Sequence, residues 1–239
     1  MRSSPSRPTD RIAWLAARPY AHRGLHGPGR PENSRAAFRA AAEAGHGIEL
    51  DARLSSDGAA IVFHDAALER LTGEGGPLSE RSAAELSRLR LLGSDETIPI
   101  LADVIAQFPE TPLLIEIKTE GRRVGPICAA VRSALGGRNA RVAAMSFNPS
   151  VPRWFATHAP EIVRGLVVSE PGHRNIARTL SVWWGKPEFL AYDVRDFPSD
   201  FAARQRARGL PILTWTCRSE ADRATAAAHA DQIIYETGE

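Results

Sequence analysis

Short apolar runs separated by alanine-rich stretches of helical period dominate the chain. Runs of strand character fall at 19–22, 47–51, 60–64, 112–117, 142–147, 163–168, 188–193, 210–215 and 231–235. Helical spacing of apolar positions occupies 33–44, 101–108, 124–135, 149–158, 200–208 and 219–229, the first with Asn33 or Ser34 as N-cap and Gly45 as stop. Apolar strands alternating with helices predict a parallel sheet buried on both faces. Nine runs are one more than an eight-stranded barrel requires, so one of them is a peripheral strand or no strand at all. The pattern does not say which.

Two connections break the rhythm. Between the second and third runs there is a turn signal at Asp57-Gly58 and no room for a helix. The connection 66–100 is unusually long and carries Gly75-Gly76-Pro77 and a capping box formed by Ser82 and Glu85. Long connections in compact domains are often functional. This one follows the run bearing His64, which predicts an insertion over the same end of the fold as that histidine. No internal repeat or low-complexity segment interrupts the pattern.

A chain of 239 residues fits one large α/β domain, here taken as 1–239, and 43% hydrophobic content supplies a sizeable core. A net charge of +2, with arginines interspersed among acids, gives no nucleic-acid-binding stripe. Lysine occurs only as Lys118 and Lys186, so a lysine inside an apolar strand stands out. Cys128 and Cys217 form neither a disulfide framework nor a metal-type spacing and are expected as small, partly buried thiols. Residues 1–10 are polar, and the apolar patch at 12–17 is too short for a signal-peptide core. No stretch approaches the roughly 20 apolar residues that span a bilayer. These features predict a cytoplasmic protein with no stable membrane insertion, and leave its oligomeric state open.

Chemistry concentrates at the ends of four runs: Ala21-His22-Arg23-Gly24, Ile48-Glu49-Leu50-Asp51, Val62-Phe63-His64-Asp65 and Ile115-Glu116-Ile117-Lys118. Residues two apart on a strand share a face, so Glu49 projects with Asp51 and Glu116 with Lys118. Acids at a sheet edge ordinarily pair with arginines. Three carboxylates turned into a closed interior instead call for a hard divalent cation with oxygen ligands, Mg²⁺ or Ca²⁺. His22 and His64 end separate runs at equivalent depth, which suits a general acid and base pair. Arg23 and Lys118 are candidates to hold a phosphate, though Lys118 has a plainer role in neutralising Glu116. Trp215, at the end of its run, is a candidate to pack against an organic moiety. His26, His46, His158, His173 and His229 read as solvated or structural, and Trp183-Trp184 as core or rim.

In combination, Ala-His-Arg-Gly, Pro31-Glu32-Asn33-Ser34, Glu49-Leu50-Asp51, Phe63-His64-Asp65, Leu71-Thr72-Gly73, Glu116-Ile117-Lys118 and Trp215-Thr216 resemble the glycerophosphodiester phosphodiesterase family, in order and across 20–236. The resemblance implies a TIM (β/α)8 barrel of the phosphatidylinositol-phospholipase-C-like type. It implies hydrolysis of a small-molecule glycerophosphodiester to glycerol 3-phosphate and an alcohol. Carried onto matching positions, it makes His22 and His64 the acid–base pair, Glu49, Asp51 and Glu116 the ligands of a divalent cation, and Arg23 and Lys118 the phosphate contacts. His64 is expected as the leaving-group acid, Asn33 as structural, and Glu32 is unassigned. Where family members finish with a Thr-Asp-x-Pro-like run, this chain reads Ile234-Tyr235-Glu236-Thr237-Gly238. Two rival readings keep the barrel: a lysophospholipase D acting on lysophospholipids, and a non-catalytic module binding a phosphate ligand.

Overall fold

Eight of the nine apolar runs hydrogen-bond into a closed ring in a computed structural model, which describes residues 11–121, 123–137, 141–170 and 175–237. The ring strands are β1 (Tyr20–Ala21), β2 (Gly47–Leu54), β4 (Leu113–Ile117), β5 (Val142–Ser146), β6 (Val163–Val168), β7 (Phe189–Asp193), β8 (Ile212–Cys217) and β9 (Gln232–Tyr235). All pairings around it are parallel, and β1 closes it by pairing with both β2 and β9. The run left outside is 60–64. Its strand β3 (Ala60–Val62) pairs antiparallel with the far end of β2, Ala52 facing Val62. The Asp57-Gly58 turn explains this, because only an antiparallel pair can be joined by so short a link. Ser55 Oγ donates to Asp57 Oδ1 at 2.5 Å, and Gly58 takes φ +85°.

The α-helices among the described residues are α1 (Arg35–Glu43), α2 (Glu69–Thr72), α3 (Ala83–Leu86), α4 (Leu101–Gln107), α5 (Gly125–Leu135), α6 (Ser150–His158), α7 (Asn175–Gly185), α8 (Asp200–Ala207) and α9 (Glu220–His229). Ser34 is the N-cap of α1, accepting from Ala37 N at 3.1 Å, and the capping box at Ser82 and Glu85 opens α3 as its spacing predicts. The pattern had not marked α7. Its Trp183 and Trp184 are not core but exposed, 74% and 42%. His173 and the polar stretch 1–10 lie outside the described residues. Among the described residues no helix is long and apolar enough to cross a membrane.

Odd and even positions of the barrel strands divide the core. Ile48, Leu50, Ile115, Ile117 and Ala144 pack outward beneath the helices. Tyr20, Leu114, Ala143, Phe189, Ala191, Leu213 and Ile234 fill the interior. Two glycines make room for its rings: a Cβ on Gly47 would lie 2.4 Å from the Tyr20 ring, and one on Gly165 would lie 2.3 Å from the Phe189 ring. The apolar patch at 12–17 forms a 3₁₀ turn, Ala13–Ala16, whose Leu15 joins this interior cluster with the preceding Ile12 from the amino end of the strands. The insertion 66–100 carries a core of its own, with Leu68, Leu71, Leu78, Leu86, Leu91 and Ile98 packed on Ile61 and Phe63 of the β3 run.

Candidate active site

Past the last apolar layer, at the carboxyl ends of the strands, the inward positions become charged. Glu49, Asp51 and Glu116 are buried, and each offers a carboxylate oxygen within 4.8 Å of the others. Strand register explains the meeting: Asp51 lies directly beside Glu116 across the β2–β4 pair. Lys118, just past the end of β4, sets its Nζ 2.5 Å from Glu116 Oε1 and 2.9 Å from Asp51 Oδ1. Both roles foreseen for Lys118 are therefore open to it, since the ammonium that neutralises the acids also faces the mouth.

Burial by itself raises a carboxyl's pKa, and the two β2 acids resolve that cost oppositely. Glu49 is pushed up to about 7, by burial first and then by the charge of Asp51. Asp51, equally buried, is held down at about 2 because Lys118 and Arg23 outweigh the burial. Three oxygen donors this close, one of them short of cationic partners, match the donor set of a hard divalent ion.

The turn after β1 wires the two amino-terminal motifs together. Arg23 adopts φ +55° and Gly24 φ +78°, where a Cβ on Gly24 would meet Ala37 at 2.8 Å. This turn aims Arg23 N at Glu49 Oε2, 3.0 Å away. Asn33 also sits at φ +55°, a conformation asparagine tolerates better than most residues. Its amide brackets Asp51, donating from Nδ2 to Oδ2 at 2.9 Å and accepting from Asp51 N at 3.3 Å. The Arg23 guanidinium lies 3.4 Å from Asp51 and donates to Glu32 Oε1 at 2.8 Å, while its buried Nε makes no hydrogen bond.

Each catalytic candidate histidine is held at Nδ1 by a carboxylate that an arginine holds in turn. His22 Nδ1 meets Glu236 Oε1 at 2.5 Å, and Arg218 grips Glu236 at 2.6 and 3.1 Å. His64 Nδ1 meets Asp65 Oδ1 at 2.6 Å, and Arg70 grips Asp65 at 2.5 Å. Arg70 also donates twice to Glu32, at 2.9 and 2.8 Å, which links His64 to Arg23 through the insertion. His22 Nε2 lies 4.0 Å from Glu49. His64 does not end a barrel strand; it follows β3, and the antiparallel hairpin delivers it to the same mouth.

Two environments move the imidazoles apart. Burial opposes the charged form of His22, yet the hydrogen bond to Glu236 and the charges of Glu49 and Asp51 outweigh it and raise its pKa. For His64 burial prevails, aided by Lys118 and Arg23, and its pKa is lowered.

Across the mouth from these groups, Trp215 donates from Nε1 to Ala191 O at 3.0 Å and packs edge-on against Phe147, centroids 5.5 Å apart. Phe147 is half exposed. His26, read as solvated or structural, lies at the mouth as well, 3.9 Å from Glu236. Sequence reasoning passed over Glu236, Arg218, Asp65 and Arg70 and left Glu32 open. Glu236 carried one usable signal, since it continues the inward parity of Ile234.

A family model described as the glycerophosphoryl diester phosphodiesterase family matches residues 22–236. The chain belongs to this family. A solved structure of an Oleispira antarctica phosphodiesterase, in complex with the product sn-glycerol-3-phosphate, superposes with a TM-score of 0.80 at 26% identity, covering 92% of this chain and 94% of that one. The Bacillus subtilis protein YqiK is 33% identical over 63% of this chain and 66% of its own length. A lysophospholipase D from Rattus norvegicus is 36% identical over 43% of this chain and 36% of its own length. The aligned part thus spans less than two thirds of either curated relative. The matched span contains every charged residue described at this family member's barrel mouth.

Proposed function

We propose that the protein hydrolyses glycerophosphodiesters to glycerol 3-phosphate and an alcohol, with His22 and His64 as proton-transfer groups. The observation that carries this reading is the meeting of three carboxylates, two carboxylate-held imidazoles and two cations at one barrel mouth. Glu49, Asp51 and Glu116 would hold a divalent cation, Mg²⁺ or Ca²⁺, which when bound supplies positive charge against the phosphoryl oxygens and offsets the three acids. Arg23 and Lys118 receive the remaining phosphate charge.

His22 accepts the proton of the attacking oxygen and His64 protonates the departing alkoxide. In the free protein the pKa directions run against these roles. Substrate shifts the balance at His64 towards the charged form, because the phosphodiester offsets the Arg23 and Lys118 charges that add to burial in depressing it. Glu236 and Asp65 keep each Nδ1 engaged, so Nε2 is the atom left to exchange a proton with substrate.

Coupled detection of released glycerol 3-phosphate tests the reading. Turnover of glycerophosphocholine is expected to need a divalent cation and to fall by about 10²–10⁴-fold in His22→Ala and in His64→Ala. A glycerophosphate ester of nitrophenol, whose leaving group needs no proton, should rescue His64→Ala and leave His22→Ala impaired. Full turnover in chelator would refute the cation, and full turnover in either variant would refute the pair. The rat relative keeps a lysophospholipase D activity in view, and the apolar Phe147–Trp215 pair offers an acyl chain a first contact. A preference for lysophosphatidylcholine over glycerophosphocholine would install that activity instead.

A further inference from the structure

A cavity of about 340 Å³ opens between the β2–β3 hairpin, the insertion and the loop from β4 to α5. Lys118 belongs to its wall, so it adjoins the place assigned to the phosphate. It also adjoins His64: Arg53, another wall residue, donates from Nε to the His64 carbonyl at 2.7 Å, and Ala66 lines the same space. This is the opposite flank of the mouth from Trp215, which hangs over β7 through its bond to Ala191. A phosphodiester seated between Arg23 and Lys118 has two arms. If His64 protonates the departing oxygen, the arm on its flank is the alcohol. The space is also several times what three carbons and their hydroxyls fill, so the glycerol arm does not account for it.

The wall's chemistry indicates what alcohol it takes. Three cations, Arg53, Lys118 and Arg123, face it against one acid, Glu120. Glu120 lies 3.5 Å from Arg53, and Lys118 is engaged by Asp51 and Glu116. Arg123 meets no acid at ion-pair distance among the described residues and is exposed, so its charge is available to a ligand. Ser79 and Thr119 add hydroxyls that match a polyol. The amino-terminal turn of α5 borders the space and adds partial positive charge of the same sign.

We propose that this cavity is the subsite for the departing alcohol, and that it selects hydroxylated alcohols carrying a negative group, such as a phosphorylated polyol, over cationic alcohols such as choline. The inference rests on the phosphodiesterase reading and on His64 as the leaving-group acid. A guanidinium contact to a second phosphate is worth about tenfold in affinity, and a like charge loses a comparable amount.

The test compares kcat/KM for glycerophosphoinositol 4-phosphate and glycerophosphocholine in the native protein, Arg123→Glu and Ser79→Leu. The native protein should favour the phosphorylated substrate by about tenfold or more, mainly through KM. Arg123→Glu should invert that preference, lowering one value and raising the other. Ser79→Leu, which narrows the space, should weaken both inositol and choline substrates relative to a methyl ester. Calorimetric binding of inositol 4-phosphate, present in the native protein and lost in Arg123→Glu, reads the subsite without turnover. Equal kcat/KM for both substrates, unchanged by Arg123→Glu, together with no binding of inositol 4-phosphate, would overturn the subsite. Binding that depends on Arg123 without turnover of any diester would keep the subsite and sink the phosphodiesterase reading instead.

Discussion

The two ends of one barrel are built from the same strands and the same inward parity, yet they obey different rules. Toward the amino ends the interior holds Tyr20, Leu114, Phe189 and Leu213, with Gly47 and Gly165 cut back so that two rings can fit. Two to four residues further on, the same faces carry His22, Glu49, Asp51 and Glu116. The lower layer gains stability from close packing, and among the described residues none of its buried side-chain polar atoms lacks a partner. The upper layer concentrates like charge where water is scarce, which weakens the fold locally and readies it for a charged ligand. Stability and chemistry are thus separated by a step of one or two pleats.

That separation can be attacked from either end. The largest expected effect is on stability: Phe189→Ala should cost about 3–5 kcal/mol in chemical denaturation, with kcat of the folded protein unchanged. Loss of turnover without loss of stability would invert the comparison. Next, Glu49→Gln should lower turnover by more than the 10–100-fold or so that loss of a supporting group costs, while its midpoint of thermal unfolding stays level or rises in chelator, because burial and Asp51 oppose its charge. Asn33→Ala, which removes the bracket on Asp51 but no candidate ligand, should fall within about 10–100-fold, with the loss partly recovered at higher cation concentration. A structural role alone would give no such recovery.

The smallest effect is a pH signature at Glu236. Its pKa is lowered to about 2, against burial, by the His22 hydrogen bond and by Arg218. The stability it contributes is complete above its ordinary value of 4.5 and lost as pH falls towards 2. In Glu236→Gln the gap to the native protein should therefore close over that window. His22 has a raised pKa, so its contribution is complete below 6.5 and lost as pH rises through the folded value. The variant should accordingly show His22 titrating lower by NMR, with the stability gap narrowing again at high pH. A gap that is flat with pH would mean that Glu236 does not act through ionisation.

Local periodicity was enough to locate all nine strands to within a few residues, and capping chemistry at Ser34 and Ser82 located helix starts. The site was legible to the same degree for residues two apart on one strand, since alternation alone puts Glu49 with Asp51. What escaped depends on partners distant in sequence. Arg70 and Glu32 are 38 residues apart, and Glu236 and His22 are 214 apart. No pattern around any of them announces the pairing. Helix α7 escaped for another reason: its large apolar residues Ile176, Leu180, Trp183 and Trp184 face solvent, so its apolar positions do not mark the buried face.

By itself the amino-acid order determined the alternation of strand and helix, the antiparallel turn at Asp57-Gly58 and the polar residues that end four of the runs, because these follow from backbone geometry over a few residues. Only the tertiary structure decided which run stands outside the ring, that the hairpin nonetheless returns His64 to the mouth, and that His22 and His64 each have a carboxylate and an arginine behind them. Those outcomes rest on ring closure and strand register, which bring distant segments within hydrogen-bonding distance, and no local preference encodes that.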